Sequence, residues 1–210
     1  MDTMEAIRQL REKCGAGILD CKQALAESNG DVNLAQEALR KKGLAKLEKR
    51  VGKQALEGLV DAYIHPGGKV GVMVEVNCET DFVARTPEYK ALVRDLCLQI
   101  AAMCPRYRKR EDVPEAVVEK EKEIYRAEAK ASGKPEKILD KIASGKLEKF
   151  YSEVCLWEQR FIRDDSMSFG EYFQSIAAKM GENVQFRRFV RFQLGEESNE
   201  AAAAAPTTCC

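Results

Sequence analysis

The sequence predicts an α+β fold: a small helical bundle, then a core in which helices pack on a three-stranded antiparallel sheet. Three observations carry this expectation. Apolar side chains in residues 1–52 recur at spacings of three and four. From Leu56 the period changes to two, and Val70, Val72, Val74 and Val76 alternate without a break. After a long helical stretch from Thr86 to Gly181, a second alternating run carries Val184, Phe186, Val190, Phe192 and Leu194 between Gln185, Arg187, Arg191 and Gln193.

The elements follow in chain order. Ile7 and Leu10 share one face of a first short helix, and Cys14-Gly15-Ala16-Gly17 supplies a tight turn. A second helix places Ile18, Cys21 and Leu25 on its apolar face and ends at Asn29-Gly30. Asp31 is suited to cap a third helix bearing Val32, Ala35 and Leu39, with Lys41-Lys42-Gly43 as its stop. Leu44, Leu47 and Val51 continue at helical spacing through a charged linker to Gly52. Leu56 to Ile64 then pairs with the valine run across the turn His65-Pro66-Gly67-Gly68, forming a β-hairpin.

Thr86 caps a helix that begins with Pro87, is built on Tyr89, Leu92, Val93, Leu96 and Ile100, and stops at Pro105. Pro114 opens a charged helix with Val117, Ile124 and Ala131 about a heptad apart, ending at Ser132-Gly133. Pro135 opens another, with Ile138 and Ile142 before Gly145 and Leu147, Tyr151 and Val154 after it. Together they suggest a projecting antiparallel helical hairpin over about 114–155. Ser168-Phe169-Gly170-Glu171 reads as a capping box for a helix carrying Tyr172, Phe173, Ile176 and Met180, closed by Gly181. The last alternating run is placed as a third strand in the hairpin's sheet. The expected division is therefore 1–52 for the bundle and linker, 53–197 for the core, and a disordered tail over 198–210.

Composition narrows function. The chain has 210 residues, with 34 Lys+Arg against 34 Asp+Glu and no formal net charge. Zero balance lacks the bulk electrostatic footprint of a protein that grips nucleic acid through phosphates. One histidine, His65, leaves little scope for imidazole metal sites or acid–base chemistry. Eight cysteines are numerous, yet Cys14, Cys21, Cys97 and Cys104 occupy apolar positions of helical patterns, and each C-x6-C pair lies two helical turns apart. That is a core role, not a disulfide framework or zinc knuckle. No signal-like N-terminal segment or membrane-length apolar run occurs, which makes a reducing cytoplasm the expected home. An organelle that makes its own protein fits equally.

Catalytic motifs are missing. Gly67-Gly68-Lys69 lacks the rest of a phosphate-binding loop, and there is no G-x-S-x-G, C-x-x-C or G-x-G-x-x-G. His65 beside Pro66 reads as a surface turn. Arg187, Arg188 and Arg191 suit an ion-paired strand face, with phosphate contact as the competing reading. Thr80-Asp81-Phe82-Val83 stands out, because a large apolar ring follows an acidic residue just beyond a strand. Phe82 either packs back under the sheet or stands out as an anchor for a partner.

Three segments carry a family resemblance. Arg11-Glu12-Lys13-Cys14-Gly15-Ala16-Gly17-Ile18-Leu19-Asp20-Cys21-Lys22-Gln23-Ala24-Leu25 resembles the opening signature of the elongation factor Ts family. Glu75-Val76-Asn77-Cys78-Glu79-Thr80-Asp81-Phe82-Val83-Ala84 resembles its second signature. Gly181-Glu182-Asn183 before an arginine-rich strand is similar to its C-terminal end, so the likeness runs from about residue 4 to 195. The resemblance implies a guanine-nucleotide exchange factor for the GTPase elongation factor Tu, with no catalysed bond chemistry, cofactor, membrane contact or direct nucleotide binding of its own. It implies a ubiquitin-associated-like N-terminal domain that docks on the GTPase through Gly15, Ala16, Gly17, Ile18 and Leu19. It also implies that Thr80, Asp81, Phe82 and Val83 wedge between two helices of the GTPase and dislodge its Mg2+, and that the helical hairpin is the family's coiled-coil element.

Two departures accompany the resemblance. Cys14 stands where the family usually has Thr, which removes a hydroxyl hydrogen bond. A single wedge motif and one core unit also mark a short form, for which a symmetric homodimer is expected. Competing readings are a nucleic-acid-binding translation accessory protein, a thiol-redox enzyme and a ubiquitin-type adaptor. None of them accounts for the order of all three motifs.

Overall fold

A computed structural model describes residues 3–196 except 15, 49, 51 and 134. Gly15, Val51 and the expected tail from Ser198 therefore lie outside the described residues. The first three helices are α1 (Thr3–Cys14), α2 (Ile18–Glu27) and α3 (Val32–Glu48). Ala6, Ile7, Leu10, Cys21, Leu25, Ala35 and Leu39 close their common core. Asp31 caps α3 through Oδ1, which accepts from the backbone N–H of Asn33 (2.8 Å) and Leu34 (3.1 Å).

Three expectations about this unit are corrected. Helix α3 does not stop at Gly43 but continues to Glu48. A glycine inside a helix costs only about 1 kcal/mol relative to alanine, and Gly43 lies against Ala178, which a Cβ there would meet at an ordinary 3.4 Å. Ile18 is not on the buried face; it is 54% exposed at the first position of α2. Cys14 and Cys21 are not two turns apart on one helix, because α1 ends before α2 begins.

The core sheet has the order β1-β2-β5, all antiparallel, with β1 Glu57–Ile64, β2 Val70–Cys78 and β5 Gln185–Gln193. The third strand thus joins the hairpin's sheet as expected. Gly58 sits where the strands approach most closely; at φ +143° a Cβ there would lie 2.1 Å from the Val76 carbonyl oxygen. Val72, Val74 and Val76 face α5 (Pro87–Met103), whose Leu92, Val93, Leu96 and Ile100 are fully buried.

On β5 the expected alternation fails at one point. Glu75 pairs with Arg188 but Val76 pairs with Phe186, so Arg187 is an extra, bulged residue. A bulge reverses the inward parity of everything beyond it. Phe186 is buried and Phe189 packs on the same core, whereas Val190, Phe192 and Leu194 turn outward at 40%, 70% and 77% exposure.

The remaining helices are α4 (Asp81–Ala84), α6 (Glu115–Ala131), α7 (Glu136–Val154) and α8 (Phe169–Met180). Helix α7 runs through Gly145 unbroken. It packs antiparallel on α6, with Arg126–Asp140 at 2.7 Å and a Lys146–Glu128 pair across the seam. Of the Val117, Ile124, Ala131 heptad only Val117 packs in the seam: Ile124 and Ala131 are exposed, Tyr125 joins Val117 against Leu147 and Phe150, and Ala129 and Ala143 are buried. Cys104 likewise leaves the helix face, ending α5 in a left-handed conformation (φ 48°) and exposed.

A short hairpin, β3 (Arg160–Phe161) and β4 (Asp164–Ser168), was not anticipated. Its route is held by buried Gln99, whose Nε2 donates to the Arg160 carbonyl and whose Oε1 accepts from the Ile162 N–H, both at 3.0 Å. Phe161 in the hairpin and Trp157 just before it pack on Phe169, Tyr172 and Phe173. Ser168 and Glu171 form the expected reciprocal capping box at the start of α8.

Candidate functional site

The site begins where β2 ends. Cys78 is fully buried, and its thiol donates to the Thr80 carbonyl (3.1 Å). Burial pushes that thiol up from its ordinary range, against a lowering hydrogen bond from Tyr89. Tyr89 itself is buried, raised chiefly by desolvation, and donates its hydroxyl to the Val76 carbonyl (2.7 Å). This apolar floor supports the next four residues.

Thr80 caps α4, its Oγ1 accepting from the Val83 N–H at 3.5 Å. Thr86 closes the turn from the other side, donating to the Val83 carbonyl (2.8 Å) and accepting from the Tyr89 N–H (3.2 Å). One helical turn divides its side chains between inside and outside. Ala84 is buried and Val83 packs on the core, so Phe82 is left pointing outward at 78% exposure. The alternative of a ring tucked under the sheet is thereby excluded. Asp81 is bound within the turn, its carboxylate 2.7 Å from the Arg85 guanidinium.

Behind the turn lies a network that residue patterns did not reveal. Glu182 Oε2 accepts from the backbone N–H of both Glu79 and Thr80 (3.1 Å each), and its Oε1 accepts from the Thr80 hydroxyl (2.6 Å). In return Glu79 Oε1 accepts from the Asn183 N–H (2.7 Å). Arg50 Nη1 donates to both Glu79 oxygens (3.0 and 3.1 Å), and Lys53 Nζ lies 3.5 Å away. Burial alone would raise the Glu79 carboxyl; the Asn183 N–H and the Arg50 and Lys53 charges outweigh it and hold the group below its ordinary range. Gly181, left-handed at φ 68°, turns the chain out of α8 so that Glu182 meets the turn.

The second candidate patch lies on the N-terminal unit. Ile18 and Leu19 are exposed at 54% and 82% at the start of α2, beside exposed Gly17. Helix α3 rests on α8, leaving a cleft of about 660 Å3 that Ala16 and Gly17 line together with Lys179 and Gly181. Ala16, Gly17 and the helix-ending Gly181 thus border one cleft. Thr80 to Val83 form a single turn; Ala16 and Gly17 lead into α2, which Ile18 and Leu19 open.

The other candidates are in ordinary surroundings. His65 is in the hairpin turn, exposed, with Nδ1 2.9 Å from the Tyr63 hydroxyl. Arg188 pairs with Glu75 (2.6 Å) and Arg191 with Glu196 (2.8 Å), so this strand is ion-paired at both positions. Cys21, Cys97 and Cys155 are buried, and burial pushes their thiols up to about 11, 12 and 12.

The family model for Elongation factor TS matches residues 32–196, which span the sheet, the wedge-like turn and the Glu182 loop. The chain belongs to the elongation factor Ts family. It is similar to Elongation factor Ts of Thermoanaerobacter sp. (strain X514), 55% identical over 196 residues that cover 93% of this chain and 96% of that protein. Elongation factor Ts of Thermotoga neapolitana is 54% identical over 93% of this chain and 98% of its own. That of Anaeromyxobacter sp. (strain K) is 56% identical over 90% and 87%.

As an elongation factor Ts family member the chain is a translation elongation factor. No helix among its described residues is long and apolar enough to cross a membrane. Glu182, Asn183 and Arg50 are the site residues that sequence reasoning left without a role. Their signal was faint: Glu182-Asn183 directly follows a helix-ending glycine, but nothing local says that its partner is Thr80.

Proposed function

We propose that this elongation factor Ts family member accelerates exchange of guanine nucleotide on elongation factor Tu, with Phe82 as the inserted group. The observation that carries the reading is a phenyl ring 78% exposed on a turn that is capped, closed and clamped from behind. An exposed aromatic on a rigid support is costly for an isolated surface and favourable for an interface anchor, because little conformational freedom is left to lose on binding. Residues 1–52 dock on the GTPase through Ala16 to Leu19 and the neighbouring Gly15. The unit 53–197 delivers Thr80, Asp81, Phe82 and Val83 to the helices beside the nucleotide, and Mg2+ is dislodged.

The chemistry belongs to the partner. Mg2+ and the phosphate-binding loop hold GDP largely through charge, so loss of the ion removes much of that stabilisation. Burying Phe82 in an apolar slot contributes about 1.5–3 kcal/mol toward the distortion. By linkage, whatever weakening the factor imposes on nucleotide, nucleotide imposes on the factor. The chain itself makes and breaks no covalent bond, and it works in the cytoplasm where the GTPase is.

A homodimer completes the reading. One end of the sheet face away from α5 is apolar, where Ile64 and Phe192 flank Gly71 and Ala62 and Val190 flank Met73, before the Glu75–Arg188 ion pair on the same face. Such a patch is self-complementary about a two-fold axis, and a second copy of the short form would cover it. Relatives spanned over 96–98% of their length are of the same short kind.

The decisive experiment loads elongation factor Tu with a fluorescent GDP and times its release with this chain or its Phe82→Ala variant. Stimulated release slows at least about tenfold, the equivalent of 1.4 kcal/mol, while thermal stability is unchanged because Phe82 adds little to the core. Release at the wild-type rate would sink the wedge.

A further inference from the structure

The wedge turn is a four-residue helix, too short to hold its own conformation. Its N-cap contact is long, at 3.5 Å, and Phe82 contributes no packing because it points into solvent. Besides the local Asp81–Arg85 and Thr86–Val83 contacts, three charge-assisted bonds on the turn come from a residue more than a hundred positions away in sequence. Glu182 takes the two backbone N–H groups that lead into α4 and the hydroxyl of its cap, the last at 2.6 Å. Charge-assisted bonds of this kind are roughly twice as strong as neutral ones and fix direction as well as distance.

Thr80 is thereby made bifunctional. Its hydroxyl donates to Glu182, so the oxygen's lone pairs are turned toward the Val83 N–H. The carboxylate sets the cap, and the cap sets the turn. Asn183 anchors the other end of the same loop, through its N–H to Glu79 (2.7 Å) and its Nδ2 to the Lys53 carbonyl (2.8 Å). Wedge, linker and the end of α8 therefore meet at one pair of carboxylates.

We propose that Glu182 is a positioning residue for nucleotide exchange: it never touches the GTPase, and it aims Phe82 by clamping Glu79 and Thr80. The inference rests on the wedge reading above. Misplacement of a reacting group by about 1 Å can cost on the order of a hundredfold. A wedge that must enter an apolar slot has the same kind of geometric requirement, and its maximal rate is the quantity that suffers. Docking through Ala16 to Leu19 is left intact, so the concentration giving half-maximal stimulation changes little.

The test is a double-mutant cycle on stimulated GDP release, measured to saturation with the full chain. Single variants are Phe82→Ala, Glu182→Gln and Glu182→Ala, with circular dichroism and thermal melts on each. Glu182→Ala lowers the maximal rate about tenfold and Glu182→Gln by less, because the amide still accepts from the backbone N–H groups. In the Phe82→Ala background neither Glu182 change has a further effect, since no ring remains to be aimed.

Wild-type release by Phe82→Ala removes the wedge itself, and the positioning role with it. Slow release by Phe82→Ala with a wild-type maximal rate in both Glu182 variants leaves the wedge standing and overturns the positioning role. Full additivity in the double variants also overturns it, because Glu182 would then act elsewhere. Should Glu182→Ala fail to fold, Glu182→Gln and Thr80→Val carry the same cycle: a Thr80→Val maximal rate that is reduced, and additive to nothing in the Phe82→Ala background, supports the clamp. An unreduced one refutes it.

Discussion

At the scale of single residues, the site depends on how polar groups are satisfied. Glu79 is 14% exposed in its side chain and receives the Asn183 N–H and the Arg50 guanidinium. Its carboxyl is held below the ordinary value of 4.5 that the unfolded chain would show. The contribution to stability is therefore complete above the unfolded value and disappears as pH falls through the lower folded value. The expected outcome is that Glu79→Gln melts below the wild type at neutral pH and that the gap narrows on acidification below about pH 4. A gap that stays constant between pH 7 and pH 3 would contradict the arrangement. Phe82 and Glu182 illustrate what local pattern can carry. Phe82 was conspicuous as an aromatic just past a strand. Glu182 was not, because an acidic residue after a helix is common and its meaning lies in a distant backbone.

At the scale of elements, β5 is the instructive case. Strict alternation would put Phe186, Val190, Phe192 and Leu194 on one face. The bulge at Arg187 divides that set: Phe186 stays inside, Phe189 and Arg191 turn in, and the other three turn out. Arg191 still finds Glu196 and Gln193, though its Nε is left without a protein partner. Denaturant unfolding distinguishes the two registers. Phe186→Ala should cost about 3–5 kcal/mol and half-buried Phe189→Ala about half of that. A Phe189→Ala change as mild as a surface substitution would rule the bulge out. Nothing local signals this bulge, since the preference of β5 for one register over another is set by what the core can accommodate. The helices were more legible. Thr86-Pro87, Asp31 and the Ser168–Glu171 box carry their own start signals, whereas Gly43 and Gly145 were misleading stops because packing overrides a modest intrinsic cost.

At the scale of the whole molecule, the proposed homodimer can be tested on the open sheet face. A dimer built on it should scatter light at twice the 23.5 kDa chain mass at micromolar concentration. Phe192→Glu should give a folded monomer, because that ring is 70% exposed within one chain and would face its symmetry mate in two. A wild-type chain that is monomeric under these conditions would remove the dimer from the reading. Long-range contacts act at the same scale: the end of α8, Arg50 and Lys53, and the Thr80–Val83 turn are tied at Glu79 and Glu182. The N-terminal unit and the wedge are consequently joined through more than a covalent tether.

By itself the sequence determined the order and type of the main elements, the family, and the turn that bears the exposed ring. Those features are written in local terms, as periodicity, capping residues and contiguous motifs. The tertiary structure alone decided that Phe82 points outward, which partner holds its turn, and which face β5 presents. Each depends on groups far apart in the chain meeting across a packed core: Glu182 on Thr80, Ala84 on the sheet, Arg187 squeezed out of register. Local propensity favours many such placements about equally, and only the joint demand to bury valines and satisfy backbone N–H groups selects one.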